Sequence, residues 1–128
     1  MKNEKDLKIT VENLITAGTT YDMEQLDVIY HNDLQVIMLD PSGQKMVAGK
    51  NEIKHMFQMK LDNNEPHLNT WANFHHVEVK GDTGHVLISR KIKMMQEEQD
   101  LTLSIDLIWQ ENRWQVNREV IVALPDSK

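Results

Sequence analysis

Apolar and polar residues alternate most strictly over residues 101–122, near the C-terminal end of the chain. Period-two alternation is typical of a strand with one buried face, and here it predicts two antiparallel strands joined by a tight turn. A two-residue turn sets Trp109 opposite Trp114 and Ile105 opposite Arg118. One face of this hairpin is therefore predicted to be an apolar wall interrupted by Arg118, and the rest of the chain must cover it.

The first half of the chain supplies that cover, because apolar residues there recur with helical spacing in three places. The first helix is predicted to end at Gly18, and the second begins after Asp22, which has capping-box spacing to Gln25. Helices followed by long strands indicate an α+β fold, in which three helices lie across one strongly curved antiparallel sheet and leave a cavity between the layers. The predicted helices are 4–17, the one that follows Asp22, and 51–61; the predicted strands are 34–39, 44–48, 71–79, 85–95 and the two arms of the 101–122 hairpin.

Size and composition narrow the class of protein. The 128 residues make one domain, residues 1–128, with no cysteine, so disulfide and thiolate chemistry are excluded. A net charge of −6 offers no basic face for nucleic acid. No apolar run approaches the ~20 residues of a membrane helix, and the polar start of the chain does not resemble a signal peptide, which predicts a cytoplasmic protein.

Two arginines stand out because of their surroundings in the predicted strands. Arg90 and Arg118 each have isoleucine or valine two positions away on both sides. A guanidinium directed into an apolar face needs a partner, since a bare buried charge is very costly. One interpretation is structural: an internal ion pair, for example with a carboxylate from a helix, or exposure of the arginine at an edge. The other is an anion-binding pocket, in which the planar guanidinium groups hold a carboxylate or phosphate.

Three further side chains complete the candidate ligand-binding set: Tyr30 at the end of the second helix, Trp71 at the start of a strand, and His75 within that strand. His75 and His76 are adjacent in a predicted strand and are expected to point to opposite faces, so that one of them enters the pocket. The six histidines lack the spacing with which one element binds a metal. No metal site and no cofactor are predicted.

Three segments carry a family resemblance: residues 26–57, the run HVLISRKIK at 85–93, and LIWQENRWQVNREV at 107–120. Together they resemble the nuclear transport factor 2-like superfamily, which includes polyketide-cyclase-like and ketosteroid-isomerase-like proteins. The last two segments look most like the association domain of calcium/calmodulin-dependent kinases and its stand-alone bacterial relatives. The resemblance implies a cystatin-like cone with three helices on the curved sheet and a central cavity, and it is more specific for fold than for function.

The leading functional hypothesis is a binding protein for a small, partly apolar, anionic molecule. One alternative is a cofactor-free isomerase, dehydratase or hydrolase that uses the same cavity, with an acid or base from Asp40, His75 or Tyr30 and an arginine that stabilises an oxyanion. Another alternative is a dimerisation domain that binds no ligand.

The uncovered face of the sheet predicts a homodimer. Its mixture of apolar and polar side chains suits an interface, which is about as apolar overall as the rest of a protein surface. The resemblance implies the same, because relatives commonly pair through this side of the sheet. The residues predicted on this outer face are Asp106, Ile108, Asn117, Glu119 and Ile121, with Thr102 and Ser104 beside them.

Overall fold

A computed structural model describes residues 2–93 and 98–124. Within that part of the chain, three helices precede most of a six-stranded sheet, and the predicted α+β class is confirmed. The predicted end of the fourth strand at Met95 lies outside the described residues. The helices are α1 (Glu4–Thr20), α2 (Met23–Ile29) and α3 (Lys50–Asp62), and the strands are β1 (Tyr30–Leu39), β2 (Lys45–Gly49), β3 (Ala72–Lys80), β4 (Thr83–Lys93), β5 (Glu98–Gln110) and β6 (Arg113–Ala123).

Helix ends follow local hydrogen-bonding chemistry. The Asp22 side chain accepts a hydrogen bond from the Gln25 backbone N–H at 3.3 Å, so the predicted cap of α2 is confirmed. The predicted end of α1 at Gly18 is wrong, because the helix continues to Thr20 and stops where Tyr21 adopts a left-handed conformation with φ of 56°. Among the described residues, no helix is both long and apolar enough to cross a bilayer.

The sheet has the strand order β2-β1-β6-β5-β4-β3. Its strands pair antiparallel except at one junction, where β1 runs parallel to β6. The sheet is therefore mixed. Strands β3 to β5 lie between β1 and β6 in the sequence, and β6 then pairs with β1. The helices cover one face of the curved sheet. The centre of this layer is fully buried and includes Leu7, Val11, Leu26, Ile88 and Val116.

A β-bulge in the C-terminal hairpin decides which side chains enter the interior. Trp109 pairs with Trp114 as predicted, but the register then shifts, and Ile105 pairs with Glu119 instead of Arg118. A one-residue shift turns every later side chain of a strand to the opposite face. Glu119 is consequently only 5% exposed, whereas Arg118 is exposed. The predicted position of Arg118 in the interior wall is wrong for this reason.

A second bulge in β3 has a similar effect on the histidines. The register shifts between Phe74 and His76, which leaves His75 as the extra residue. His75 and His76 are both exposed, and the His75 Nε2 atom lies 2.6 Å from the hydroxyl of Ser89. The prediction that one of these histidines enters the pocket is therefore wrong.

The composition of the outer face changes with the bulge in β6. Glu119 and Ile121, which were predicted on this face, line the interior instead. Val120, on the opposite side of β6, is half-buried, and its backbone pairs with Ile37 in β1. Asp106 remains on the outer face, where its backbone lies opposite that of Arg118.

Candidate functional site

One internal cavity lies between α1, α3 and the inner face of the sheet. Its volume is about 120 Å³, and most of its wall is aliphatic or aromatic. Ligand pockets usually measure roughly 300–1,000 Å³, whereas an apolar cavity of roughly 150 Å³ is sufficient for benzene. The space is smaller than either, so it suits a short chain or at most a single ring. Four polar residues of the described chain open into it: Thr19, Tyr30, Arg90 and Glu119.

Arg90 enters the cavity from β4 and is only 5% exposed. Its Nε atom donates to the Trp71 carbonyl oxygen at 2.8 Å, and its Nη2 atom donates to the Asn69 carbonyl oxygen at 2.7 Å. These bonds fix one edge of the guanidinium against the segment that leads into β3. Burial lowers the pKa of Arg90 while the charge of Glu119 raises it. Arginine remains a cation at neutral pH, so the cavity has a permanent positive charge.

Glu119 enters the same cavity from β6. Burial raises the pKa of its carboxyl group from 4.5 to about 7, although the Arg90 charge opposes the shift. Within the described residues, this carboxyl group accepts no hydrogen bond and forms no direct ion pair. A glutamate of this kind is partly protonated at neutral pH, so it can act either as a donor or as an acceptor.

Tyr30 and Thr19 are the other two polar groups. Burial raises the pKa of Tyr30 well above its ordinary value, and the Glu119 charge adds to that shift. The phenol is thus a hydrogen-bond donor at neutral pH. The Thr19 hydroxyl donates to the Ile15 carbonyl oxygen at 2.7 Å within α1, so its proton is already used by the helix.

Solved structures with the same architecture identify the fold. An NTF2-like protein of Silicibacter pomeroyi matches with a TM-score of 0.74 and 16% identity, covering 93% of this chain and 93% of its own. An NTF2-like protein of Cytophaga hutchinsonii matches with a TM-score of 0.73 and 19% identity, covering 95% of this chain and 99% of its own. This chain has the nuclear transport factor 2-like fold. The predicted fold is thereby confirmed.

The same comparisons give no activity to this NTF2-like chain. No protein-family model and no curated protein matches its sequence. A further NTF2-like match comes from Rhodospirillum rubrum and is described as a protein of unknown function in nutrient uptake. Its TM-score is 0.68 at 16% identity, and the match covers 93% of this chain and 98% of that protein. Identities this low carry the fold alone, and a fold does not by itself imply a function.

The NTF2-like fold brings together two of the five predicted ligand-binding residues. Arg90 and Tyr30 line the cavity. Trp71 is 46% exposed, and the Lys91 ammonium lies 5.2 Å from the centre of its ring. His75 and Arg118 are exposed on the outer face of the sheet. The sequence prediction missed Glu119, because strict alternation along β6 assigned it to that outer face.

A separate polar cluster lies on the outer face of this NTF2-like sheet. The His85 Nδ1 atom is 2.7 Å from an Asp106 carboxylate oxygen, and the His76 ring centre is 6.4 Å from that of His85. His76 also lies 3.4 Å from Glu78. Across the residues that the structure describes, no three His, Asp or Glu side chains are arranged to hold a metal ion.

Proposed function

We propose that this chain is a binding protein for a small, partly apolar anion held in the internal cavity. The supporting observation is the buried Arg90 guanidinium, which faces an otherwise apolar space. Two backbone carbonyls use only part of its five N–H groups. The remaining groups have the planar geometry that binds a carboxylate. The aliphatic and aromatic wall would receive the rest of the ligand.

The size of the cavity limits the ligand to one ring or a short chain. Its volume of about 120 Å³ is somewhat below the roughly 150 Å³ of a cavity that binds benzene, so a single ring is the upper limit. Benzoate is therefore a suitable probe, with benzyl alcohol as its uncharged counterpart. Because Arg90 is a cation, we expect benzoate to bind more tightly than benzyl alcohol at pH 6.5.

The test uses two arginines in different positions. Arg90→Lys keeps the positive charge but removes the planar fork, so we expect benzoate binding in calorimetry to weaken at least about tenfold. Arg118→Lys is the matched control, since Arg118 is exposed on the outer face, and it should leave binding unchanged. Benzoate binding of equal strength in the wild type and Arg90→Lys would contradict the proposal. Native mass spectrometry of the purified protein would show whether a small acid is already bound.

A second candidate function is cofactor-free acid–base catalysis in the same cavity. The observation that favours it is Glu119, whose pKa of about 7 is close to the value that suits a general base at neutral pH. Tyr30 and Arg90 would then stabilise negative charge that develops on a carbonyl oxygen. In this alternative the general base is Glu119 and not Asp40, because the Asp40 carboxylate accepts hydrogen bonds from Ser42 within an exposed turn.

Exchange of carbon-bound protons tests the enzymatic alternative directly. Small ketones incubated in D₂O with the wild type should exchange α-protons faster than with Glu119→Gln, as followed by NMR. Glutamine keeps the size of the side chain but cannot accept a proton. Equal exchange with both proteins across a series of small carbonyl compounds would remove the enzymatic alternative and leave binding unaffected.

Pairing of two copies through the outer face of the sheet completes the proposal. A row of apolar side chains crosses that face, and its register links Val47 to Ile37 and Ile37 to Val120. Val47 is 46% exposed. Ile37 and Val120 are half-buried. A continuous apolar row that is partly exposed is typical of interaction sites, and a stable pair would bury on the order of 800 Å² on each copy. Such pairing without any bound ligand is the outcome that favours a pure dimerisation domain.

A further inference from the structure

We infer that the cavity binds a carboxylate ligand with Glu119 protonated, so that binding takes up one proton wherever Glu119 is ionised beforehand. The inference rests on the proposed function, because it requires a carboxylate beside Arg90. It adds a pH dependence to that function: the protein binds small acids tightly at mildly acidic pH and releases them as the pH rises.

The geometry of the cavity brings two acids close together once the ligand is bound. Arg90 and Glu119 both line the same space, yet neither forms a direct ion pair within the described chain. A carboxylate that contacts the guanidinium therefore enters the space between them. Because both groups line one space of only about 120 Å³, a ligand carboxylate that contacts Arg90 lies close to Glu119. Two carboxylates that share one apolar site do not both remain ionised.

Glu119 is the group that gains the proton. The elements around it contribute few charges: β4 contributes Arg90, β1 contributes Tyr30, and α1, α3, β5 and the segment before β3 contribute apolar side chains or the Thr19 hydroxyl. Arg90 is already protonated, and burial keeps the Tyr30 phenol protonated as well. Burial has raised the pKa of Glu119 to about 7 before any ligand binds. A second negative charge nearby raises it further.

Protonation also completes the hydrogen bonds of the bound state. The Glu119 carboxyl group then carries an O–H, which can donate to one oxygen of the ligand carboxylate while Arg90 donates to the other. The occupied cavity holds one positive and one negative charge. An uncharged ligand of the same shape creates no second carboxylate and therefore needs no proton.

Calorimetry with benzoate and benzamide tests the coupling. Proton uptake is measured by titrating the protein in two buffers of different ionisation enthalpy. It should be about 0.9 proton per benzoate at pH 8 and about 0.1 proton at pH 6. The reason is that Glu119, with a pKa of about 7, is mostly ionised at pH 8 and mostly protonated at pH 6. The dissociation constant for benzoate should rise about tenfold from pH 6 to pH 8. Benzamide should bind with the same dissociation constant at pH 6 and pH 8.

The Glu119→Gln variant separates this coupling from titration elsewhere. Its neutral side chain resembles protonated glutamate, so benzoate should bind about equally at pH 6 and pH 8, with no proton uptake. At pH 8 it should bind benzoate about tenfold more tightly than the wild type. The outer-face histidines are unchanged in this variant, so they cannot account for the difference.

The possible failures are distinguishable. Benzoate binding without proton uptake at pH 8, or with the same pH dependence in Glu119→Gln, overturns the inference and leaves the proposed function in place. If neither benzoate nor benzamide binds at any pH, both the inference and the proposed function are overturned. Proton uptake in the wild type that disappears in Glu119→Gln supports both.

Discussion

Replacing Glu119 with glutamine should stabilise the fold at pH 8, although the change removes a negative charge that faces Arg90. Glu119 is 5% exposed, and its carboxyl group forms no hydrogen bond with the described chain. Its ionised form is therefore poorly solvated in the native state and well solvated in the unfolded state. Glutamine has nearly the same shape and carries no charge at any pH.

The magnitude follows from the pKa of Glu119, which burial raises from 4.5 to about 7. The native state binds more protons than the unfolded state between these values, so the free energy of unfolding falls as the pH rises through this window and levels off above it. Each pKa unit corresponds to about 1.4 kcal/mol. The ionised glutamate therefore costs about 3 kcal/mol above pH 7, and almost nothing below pH 4.5.

Urea unfolding measures this difference, with tryptophan fluorescence as the signal, to which the buried Trp114 contributes. At pH 8 Glu119→Gln should be more stable than the wild type by up to about 3 kcal/mol, or roughly 10 °C in melting temperature. At pH 4.5 the two proteins should agree within about 1 kcal/mol. The exposed Glu12→Gln on α1 is the matched control and should change stability by less than about 0.5 kcal/mol at either pH.

The sign of the result decides between two physical pictures. If Glu119 and Arg90 stabilise each other more than burial costs them, removing one partner leaves an uncompensated charge and destabilises the protein by roughly 3–5 kcal/mol. A Glu119→Gln variant that is less stable than the wild type at pH 8 would therefore refute the reasoning and would place the pKa of Glu119 below its ordinary value.

The other expectations concern packing, charge and assembly. Arg90→Met leaves two carbonyl oxygens without their donor and should lower stability by about 3 kcal/mol in urea unfolding at pH 7. Gly84→Ala would place a methyl carbon 2.6 Å from a Leu7 methyl and should cost about 1–3 kcal/mol. Gly18 lies within α1, and a methyl group there would meet only the Phe57 ring at an ordinary 3.7 Å, so Gly18→Ala should stabilise by up to about 1 kcal/mol. Thermal melts that shift in the same direction for both variants would contradict the packing. Val120→Lys on the outer face should convert a dimer to a folded monomer in sedimentation experiments, and an unchanged dimer would place the interface elsewhere.

Local patterns were sufficient for most of the architecture. Helical spacing located the three helices to within a few residues, and Asp22 capped α2 as its spacing to Gln25 indicated. Turn and alternation signals located the strands, and the Trp109–Trp114 pair fixed the start of the last hairpin. These features depend on neighbours in the chain, and neighbours are what a sequence displays.

The candidate site was predictable only in part. Arg90 and Tyr30 were found because a polar group among apolar neighbours is visible in the sequence, and both line the cavity. Arg118 and His75 were misplaced because each lies at or beyond a bulge. The sequence prediction assumed uninterrupted pairing, and in such pairing a strand keeps its alternation from end to end.

By itself, the sequence determined the order of the elements, the apolar inner face of the sheet and the presence of buried charge on it. Only the tertiary structure decided which charges those are. One extra residue at position 117 turns Glu119 inward and Arg118 outward, so the cavity holds an arginine and a glutamate where two arginines were predicted. A bulge is set by how a strand packs against its neighbours and the helices above them. The pKa of Glu119 and the chemistry of the site therefore depend on contacts between parts of the chain that are far apart in sequence.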